Sequence, residues 1–155
     1  MRRILQWCTR PNALRASILI RILVGSVFLS EGIQKFLFPA TLGAGRFVKI
    51  GIPAAYFMAP FVGAVEVVFG FALLLGLLTR LSSIPLLIVI LVAIATTKLV
   101  AFPRVGFWAV AHDGRADYSM LMGLLFLLLA GSSPFSLDSL IARAINKNRS
   151  TPQRN

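Results

Sequence analysis

The chain has 155 residues, of which 57% are hydrophobic and only 14% are charged, and its mean hydropathy is +0.84. This composition excludes an ordinary soluble domain and predicts one membrane domain with several transmembrane helices. The net charge of +11 does not indicate nucleic-acid binding, because the basic residues gather at the chain ends and are not interleaved with exposed aromatic side chains. Cys8 is the only cysteine, so the chain cannot form an internal disulfide or a dithiol redox pair.

The first apolar segment, at about residues 18–38, carries Arg21, Glu31 and Lys35 within a hydrophobic run. Basic residues precede it as in a signal peptide, but the charges inside the run and the lack of a cleavage pattern favour a retained membrane helix. At roughly 100° per residue the three charges lie on one side of that helix. Because ionisable groups in hydrocarbon normally face another helix or a wet cavity, we expect the function on this side.

Three further apolar segments, at about residues 56–78, 84–101 and 117–133, predict three more spans. Glu66 lies near the middle of the second span among small residues, which indicates a packed helix face. Ser83 and Asp117 are the expected N-caps of the third and fourth spans. The segment 102–117 mixes aromatic with polar residues, so it is expected to be a loop at the outer membrane surface.

The predicted fold is therefore an all-α integral membrane four-helix bundle. Residues 1–16 would be a basic cytoplasmic segment, residues 17–135 the bundle, and residues 136–155 an amphipathic surface helix at about 137–146 with a basic tail. Asp138 would lie on the polar face of that helix, opposite Leu137. Nine Lys and Arg residues near the span ends fall on one side and six on the other, which places both termini in the cytoplasm.

With this topology Glu31 and Glu66 lie at a similar depth, roughly 10 to 15 Å below the outer surface, with Lys35 and Lys98 just above them. One interpretation is an ion pair between Glu31 and Lys35 that Glu66 and Lys98 extend, holding three helices in register. The other is that the two glutamates relay protons or hold a polar head group, with quinone as a possible ligand. The sequence leaves both interpretations open.

The remaining candidates lie nearer the membrane surfaces. His112, Asp113 and Asp117 are expected at the outer surface, where they could contact a quinone or a metal, but one histidine and two aspartates assign no metal site. A single histidine also excludes a haem held by two histidines of one chain. Arg21 is expected at the cytoplasmic rim, where it could snorkel or hold an acidic lipid head group.

Several segments together resemble the DoxX family of small four-helix membrane proteins. They are the opening RILVGSVFLSEGIQKFLFP, the loop residues Gly51, Ile52 and Pro53, the pattern FVGAVEVVFGFALLLGLLTRLSS and the ending DYSMLMGLLFLLLAGSSPFSLD. The resemblance implies a membrane subunit or partner of a redox system, since some members belong to a thiosulfate:quinone oxidoreductase and others are linked to oxidative-stress complexes. Distantly similar redox proteins use cysteine pairs, which this chain lacks, so the resemblance does not imply thiol catalysis.

Three functions are therefore considered. The first is an accessory or quinone-facing subunit of a membrane redox system, with catalytic activity of the chain itself left open. The second is a non-catalytic adaptor that docks a partner protein, and the third is a small-molecule or ion carrier, against which the sequence shows no inverted repeat. The expected location is the bacterial cytoplasmic membrane, with the lipid bilayer and either a protein partner or further copies of the chain as contacts, and no nucleic acid.

Overall fold

The computed structural model describes residues 17–131 and 136–139, and every regular element in these ranges is helical. The elements are α1 (Ser17–Leu37), α2 (Ala44–Lys49), α3 (Ala55–Leu75), α4 (Thr79–Ala93), a π-helical segment (Ile94–Leu99), α5 (Val100–Asp113) and α6 (Arg115–Ala130). Three stretches are long and apolar enough to cross a membrane: Ser17–Leu37, Ala55–Leu75 and Thr79–Asp113. The predicted all-helical membrane fold is confirmed.

The fourth helix of the bundle, α6, is shorter than a full crossing. Its 16 residues rise about 24 Å, whereas the hydrocarbon core is about 30 Å thick. It nevertheless packs into the same core as α1, α3 and α4. The buried side chains of that core are Val24, Phe28, Leu73, Leu86, Ile90, Met120, Leu124 and Leu127.

Helices α1 and α3 touch backbone to backbone through glycines. A Cβ atom added at Gly25 would lie 2.9 Å from the Gly70 carbonyl oxygen, and one at Gly32 would lie 2.7 Å from the Gly63 carbonyl oxygen. Small residues allow membrane helices to approach this closely, so van der Waals contact extends along the whole crossing. Each helix carries its two glycines seven residues apart, which is two turns and therefore one face.

The third span is longer than the sequence predicts. The prediction of an outer loop at residues 102–117 is wrong, because nearly all of this segment is helical. Thr79–Leu99 already suffices for a crossing, yet helical structure continues through α5 to Asp113, with a break at Gly106. Gly106, with φ 78° and ψ 171°, changes the helix direction in a conformation that only glycine adopts readily. The side chains of residues 102–109 are all exposed.

The turn between α3 and α4 is held from a distance by Asp138. Its carboxylate accepts hydrogen bonds from the backbone N–H of Leu78 and Thr79, the latter at 3.0 Å, and from the Thr79 hydroxyl at 3.1 Å. Leu78 has φ 46°, a left-handed conformation that is uncommon outside glycine, and the Asp138 contacts stabilise it. Asp138 is thus a buried cap of α4 and does not lie on an exposed polar face.

Two predicted N-caps are wrong for related reasons. Because α4 begins at Thr79, Ser83 lies inside the helix and its hydroxyl donates to the Thr79 carbonyl at 2.8 Å. α6 begins at Arg115 after Gly114, so Asp117 lies in its first turn. Of the predicted surface helix at 137–146, only residues 137–139 are described, and Leu137 is partly exposed while Asp138 is buried. The predicted segments 1–16 and 140–155 lie outside the described residues.

Gly32→Ala should lower the free energy of unfolding by about 1 to 3 kcal/mol, because the added methyl group would overlap the Gly63 carbonyl oxygen and the Glu66 Cβ atom. Ile33→Ala is the matched control. Because Ile33 is exposed, its substitution should change the free energy of unfolding by no more than about 0.5 kcal/mol. Thermal unfolding in detergent measures both. Equal melting temperatures for the two variants would contradict the glycine contact.

Asp138→Ala should destabilise the protein by about 2 to 3 kcal/mol, because the backbone amides of Leu78 and Thr79 lose a charged acceptor at the start of α4. Asp113→Ala removes an exposed carboxylate and should lower the free energy of unfolding by much less than Asp138→Ala. Denaturant unfolding followed by circular dichroism separates the two. A silent Asp138→Ala variant would show that the turn does not depend on this cap.

Candidate functional site

A cavity of about 290 Å³ lies between α3 and α4, with α2 forming another of its walls. Its apolar lining consists of Leu42, Phe47, Ile50, Ile52, Met58, Phe61, Val62, Ile88, Val89, Val92 and Ala93. Its charged lining consists of Lys35, Arg46 and Glu66. A mostly apolar space with a few polar groups is the usual form of a small-molecule site, and this volume lies at the small end of that range.

The short helix α2 is fixed over the ends of α1 and α3 by two contacts. Phe47 is buried against Ala55 and Ala59 of α3. The segment before α2 packs on α1 so closely that a Cβ atom at Gly43 would lie 2.6 Å from the Lys35 carbonyl oxygen. These contacts place Arg46 and Phe47 at the cavity wall, although neither residue carries a sequence signal that predicts a site.

The charged centre of the cavity is an ion pair between Lys35 of α1 and Glu66 of α3. The Lys35 Nζ atom lies 2.6 Å from the Glu66 Oε2 atom, and the two side chains are only 11% and 5% exposed. Within the described residues no other hydrogen-bond donor reaches that oxygen. Both side chains face the cavity, and the close crossing at Gly32 brings them together. A buried ion pair of this kind is costly to break from one side only.

Glu31 lies on the other side of Lys35, toward the outside of the bundle. Its Oε2 atom is 3.9 Å from the Lys35 Nζ atom, and its side chain is 49% exposed. Lys35 therefore stands between a carboxylate in the cavity wall and a carboxylate at the bundle surface. This arrangement brings three of the four predicted charges together, with Lys35 closer to Glu66 than to its helical neighbour Glu31.

Lys98 belongs to a separate cluster. Its Nζ atom is 2.5 Å from a carboxylate oxygen of Asp113 and 3.3 Å from one of Asp117, so it joins the π-helical segment to the ends of α5 and α6. The two residues before it, Thr96 and Thr97, line the cavity instead. Their hydroxyls donate to the carbonyls of the preceding helical turn at 2.8 and 2.6 Å. π-helical turns of this kind are frequent at functional sites.

The last two candidates are not part of the cavity. His112 is exposed, and within residues 17–131 and 136–139 no group of three histidine, cysteine or acidic side chains could hold a metal ion. Arg21 is buried rather than open to lipid: a side chain at Gly76 would overlap its guanidinium, and Asp138 is its neighbouring negative charge. Arg21 precedes Lys35 by 14 residues, about 21 Å along α1, so it belongs to the opposite end of the bundle.

Comparison with known proteins gives four findings. The DoxX family model matches residues 16–103, which include α1 to α4 and the whole cavity lining. The chain is 54% identical over 132 residues to an uncharacterized membrane protein of Mycobacterium tuberculosis, covering 81% of each chain. It is 31% identical over 126 residues to CatD of Bacillus subtilis, whose name assigns it provisionally to the oxidoreductases, covering 81% of this chain and 86% of that protein. No solved structure matches the chain.

Lys35→Met should lower the free energy of unfolding by about 3 to 5 kcal/mol, because it leaves the Glu66 carboxylate buried without its cation. Adding Glu66→Leu to this variant should recover most of the loss, since an apolar pair replaces the ion pair. Thermal unfolding of the two single variants and the double variant measures the coupling. Lys49→Met, which alters an exposed lysine of α2, is the control. Additive effects of the two substitutions would contradict a coupled pair.

Proposed function

Because the chain belongs to the DoxX family of membrane proteins, we propose that it is the quinone-facing subunit of a membrane redox system. The observation that carries the proposal is the apolar cavity with the buried Lys35 and Glu66 pair in its wall. The similarity to CatD, a protein named among the oxidoreductases, supports a redox role. Both of the named relatives are bacterial, which supports a place in a bacterial cytoplasmic membrane.

The ion pair suits both oxidation states of a quinone. A quinone presents carbonyl oxygens, to which the Lys35 ammonium can donate a hydrogen bond. A quinol presents hydroxyl groups, which can donate to the Glu66 carboxylate. Phe61, Ile88 and Val92 line the cavity and are also exposed on the lipid-facing side of α3 and α4, so the apolar tail of the ligand would leave between them.

The position of Lys35 between two carboxylates also suits proton transfer. Oxidation of a quinol to a quinone releases two electrons and two protons. For each of the two protons in turn, Lys35 would release a proton to Glu31, Glu66 would accept the hydroxyl proton in the cavity and return it to Lys35, and Glu31 would release its proton at the bundle surface, because Lys35 lies within 4 Å of both carboxylates. The two electrons would pass to a redox protein that associates with the chain. In this proposal the chain supplies the quinone site and the proton path.

Decylubiquinone should bind saturably to the purified protein in detergent, as measured by isothermal titration calorimetry. Val92→Trp should abolish the binding, because the indole would fill the cavity between α3 and α4. Leu91→Trp is the matched control. Leu91 directly precedes Val92 on α4, and the two residues are 49% and 48% exposed, but Leu91 does not line the cavity.

Glu66→Gln tests the polar part of the same site. It should weaken quinol binding about tenfold, which corresponds to about 1.4 kcal/mol and is typical of a hydrogen bond to a charged group. Absence of quinone binding to the wild-type protein, or equal binding by the Val92→Trp and Leu91→Trp variants, would reject the cavity as the quinone site.

A further inference from the structure

The charges in the cavity wall do not balance. Among the described residues of the lining, Lys35 and Arg46 are cations and Glu66 is the only acid. The Lys35 Nζ atom lies 2.6 Å from the Glu66 Oε2 atom, so these two charges compensate each other. Glu31 approaches Lys35 from the bundle surface and is not part of the lining. The cavity wall therefore carries one surplus positive charge, that of Arg46.

Arg46 is not compensated by a carboxylate of its own. None of the ion pairs within residues 17–131 and 136–139 includes it. Its neighbouring negative charges are those of Glu66 and Asp113. Lys35 already pairs with Glu66. In the same way, Lys98 already pairs with Asp113. The guanidinium of Arg46 therefore retains hydrogen-bond donors for an anionic ligand.

The backbone on both sides of Arg46 is fixed in place. Phe47, the next residue, is buried against α3. Gly45, the preceding residue, packs so closely on the backbone that an added Cβ atom would overlap the Ala40 carbonyl oxygen. The side chain of Arg46 itself is exposed while also lining the cavity, so it lies at the boundary between the cavity and the surroundings. A ligand in the cavity thus meets this charge at a fixed position of the wall.

We propose that the cavity prefers quinones whose ring carries an ionised hydroxyl group, and that Arg46 confers this preference. The inference rests on the proposed quinone site and names the class of quinone that the site takes. An ionised hydroxyl beside a ring carbonyl presents two neighbouring oxygens that share one negative charge. The planar guanidinium fork matches two such oxygens, as it matches a carboxylate. The other ring carbonyl can accept a hydrogen bond from Lys35.

The size of the preference follows from the charge balance. An anionic ring makes the wall and its ligand neutral together, whereas a neutral ring leaves the surplus charge in place. The attraction is stronger beside an apolar cavity than in water, because the dielectric constant is lower there. Solvent at the exposed side chain of Arg46 screens part of it. We therefore expect the anionic ring to bind about tenfold more tightly than a neutral ring of the same shape.

Lawsone and its methyl ether test this preference. Lawsone is a naphthoquinone with an acidic ring hydroxyl that is ionised at neutral pH, and the methyl ether has nearly the same shape but cannot ionise. Isothermal titration calorimetry of the purified protein in a non-ionic detergent at low salt measures both. The dissociation constant of lawsone should be about ten times lower than that of the methyl ether.

Arg46→Gln should reduce the ratio of the two dissociation constants to about one, because it removes both the charge and the fork. Arg46→Lys keeps the charge without the fork, so its ratio should lie between those of the wild type and Arg46→Gln. Lys49→Gln is the matched control. It removes one positive charge from an exposed position of the same helix, but Lys49 does not line the cavity. This control should retain the wild-type ratio.

Equal affinities of the wild-type protein for lawsone and its methyl ether would overturn the inference. An Arg46→Gln variant that retains the preference, or a Lys49→Gln variant that loses it, would overturn it as well. These results would leave the quinone site standing, since both compounds would still bind. If lawsone, its methyl ether and decylubiquinone all fail to bind the wild-type protein, the quinone site is rejected, and the preference is rejected with it.

Discussion

The contact between α1 and α3 is the constraint on which the rest of the structure depends. Because Gly25 and Gly32 meet Gly70 and Gly63, the two helices cross at backbone distance. No bulky side chain separates them, and the charged side chains one turn away are therefore forced to meet. The 2.6 Å distance between Lys35 and Glu66 is a consequence of that crossing. An ion pair across a looser helix contact would leave room for water or for a third side chain.

The bundle has a polar cluster at each end. One cluster stabilises a turn, and the other borders the cavity. At one end Asp138 caps α4, where its carboxylate accepts hydrogen bonds from two backbone amides. The buried guanidinium of Arg21 is its neighbouring positive charge. At the other end Lys35 and Glu66 border a cavity, and among the described residues only Lys35 reaches the Oε2 atom of Glu66. A carboxylate with several donors stabilises a turn. A carboxylate with one donor beside an open space retains capacity for a ligand.

The sequence pattern predicted some contacts of the buried charges and missed others. Helical spacing predicted that Glu31, Lys35 and Glu66 lie near one another, and Lys35 is within 4 Å of both carboxylates, because these relations follow from the 1.5 Å rise along two straight helices. The same reasoning failed to foresee the partners of Lys98. The π-helical segment shifts the side-chain positions between Thr96 and Lys98, and the helix continues to Asp113, so Lys98 meets Asp113 and Asp117 rather than the two glutamates. No local signal in the sequence marked that π turn.

The sequence by itself determined the class of the protein, the membrane spans of α1 and α3, the packed glycine face around Glu66 and the candidate charges. These features depend on hydropathy and on helical period, which are local properties of the chain. Only the tertiary structure decided the capping of α4 by Asp138, the cavity beside Arg46 and Phe47, and the division of the charges into two clusters. Each of these joins residues far apart in the chain, such as Thr79 and Asp138, which are 59 positions apart. Their pairing depends on how helices cross and where they end, and residue spacing within one helix carries no information about either.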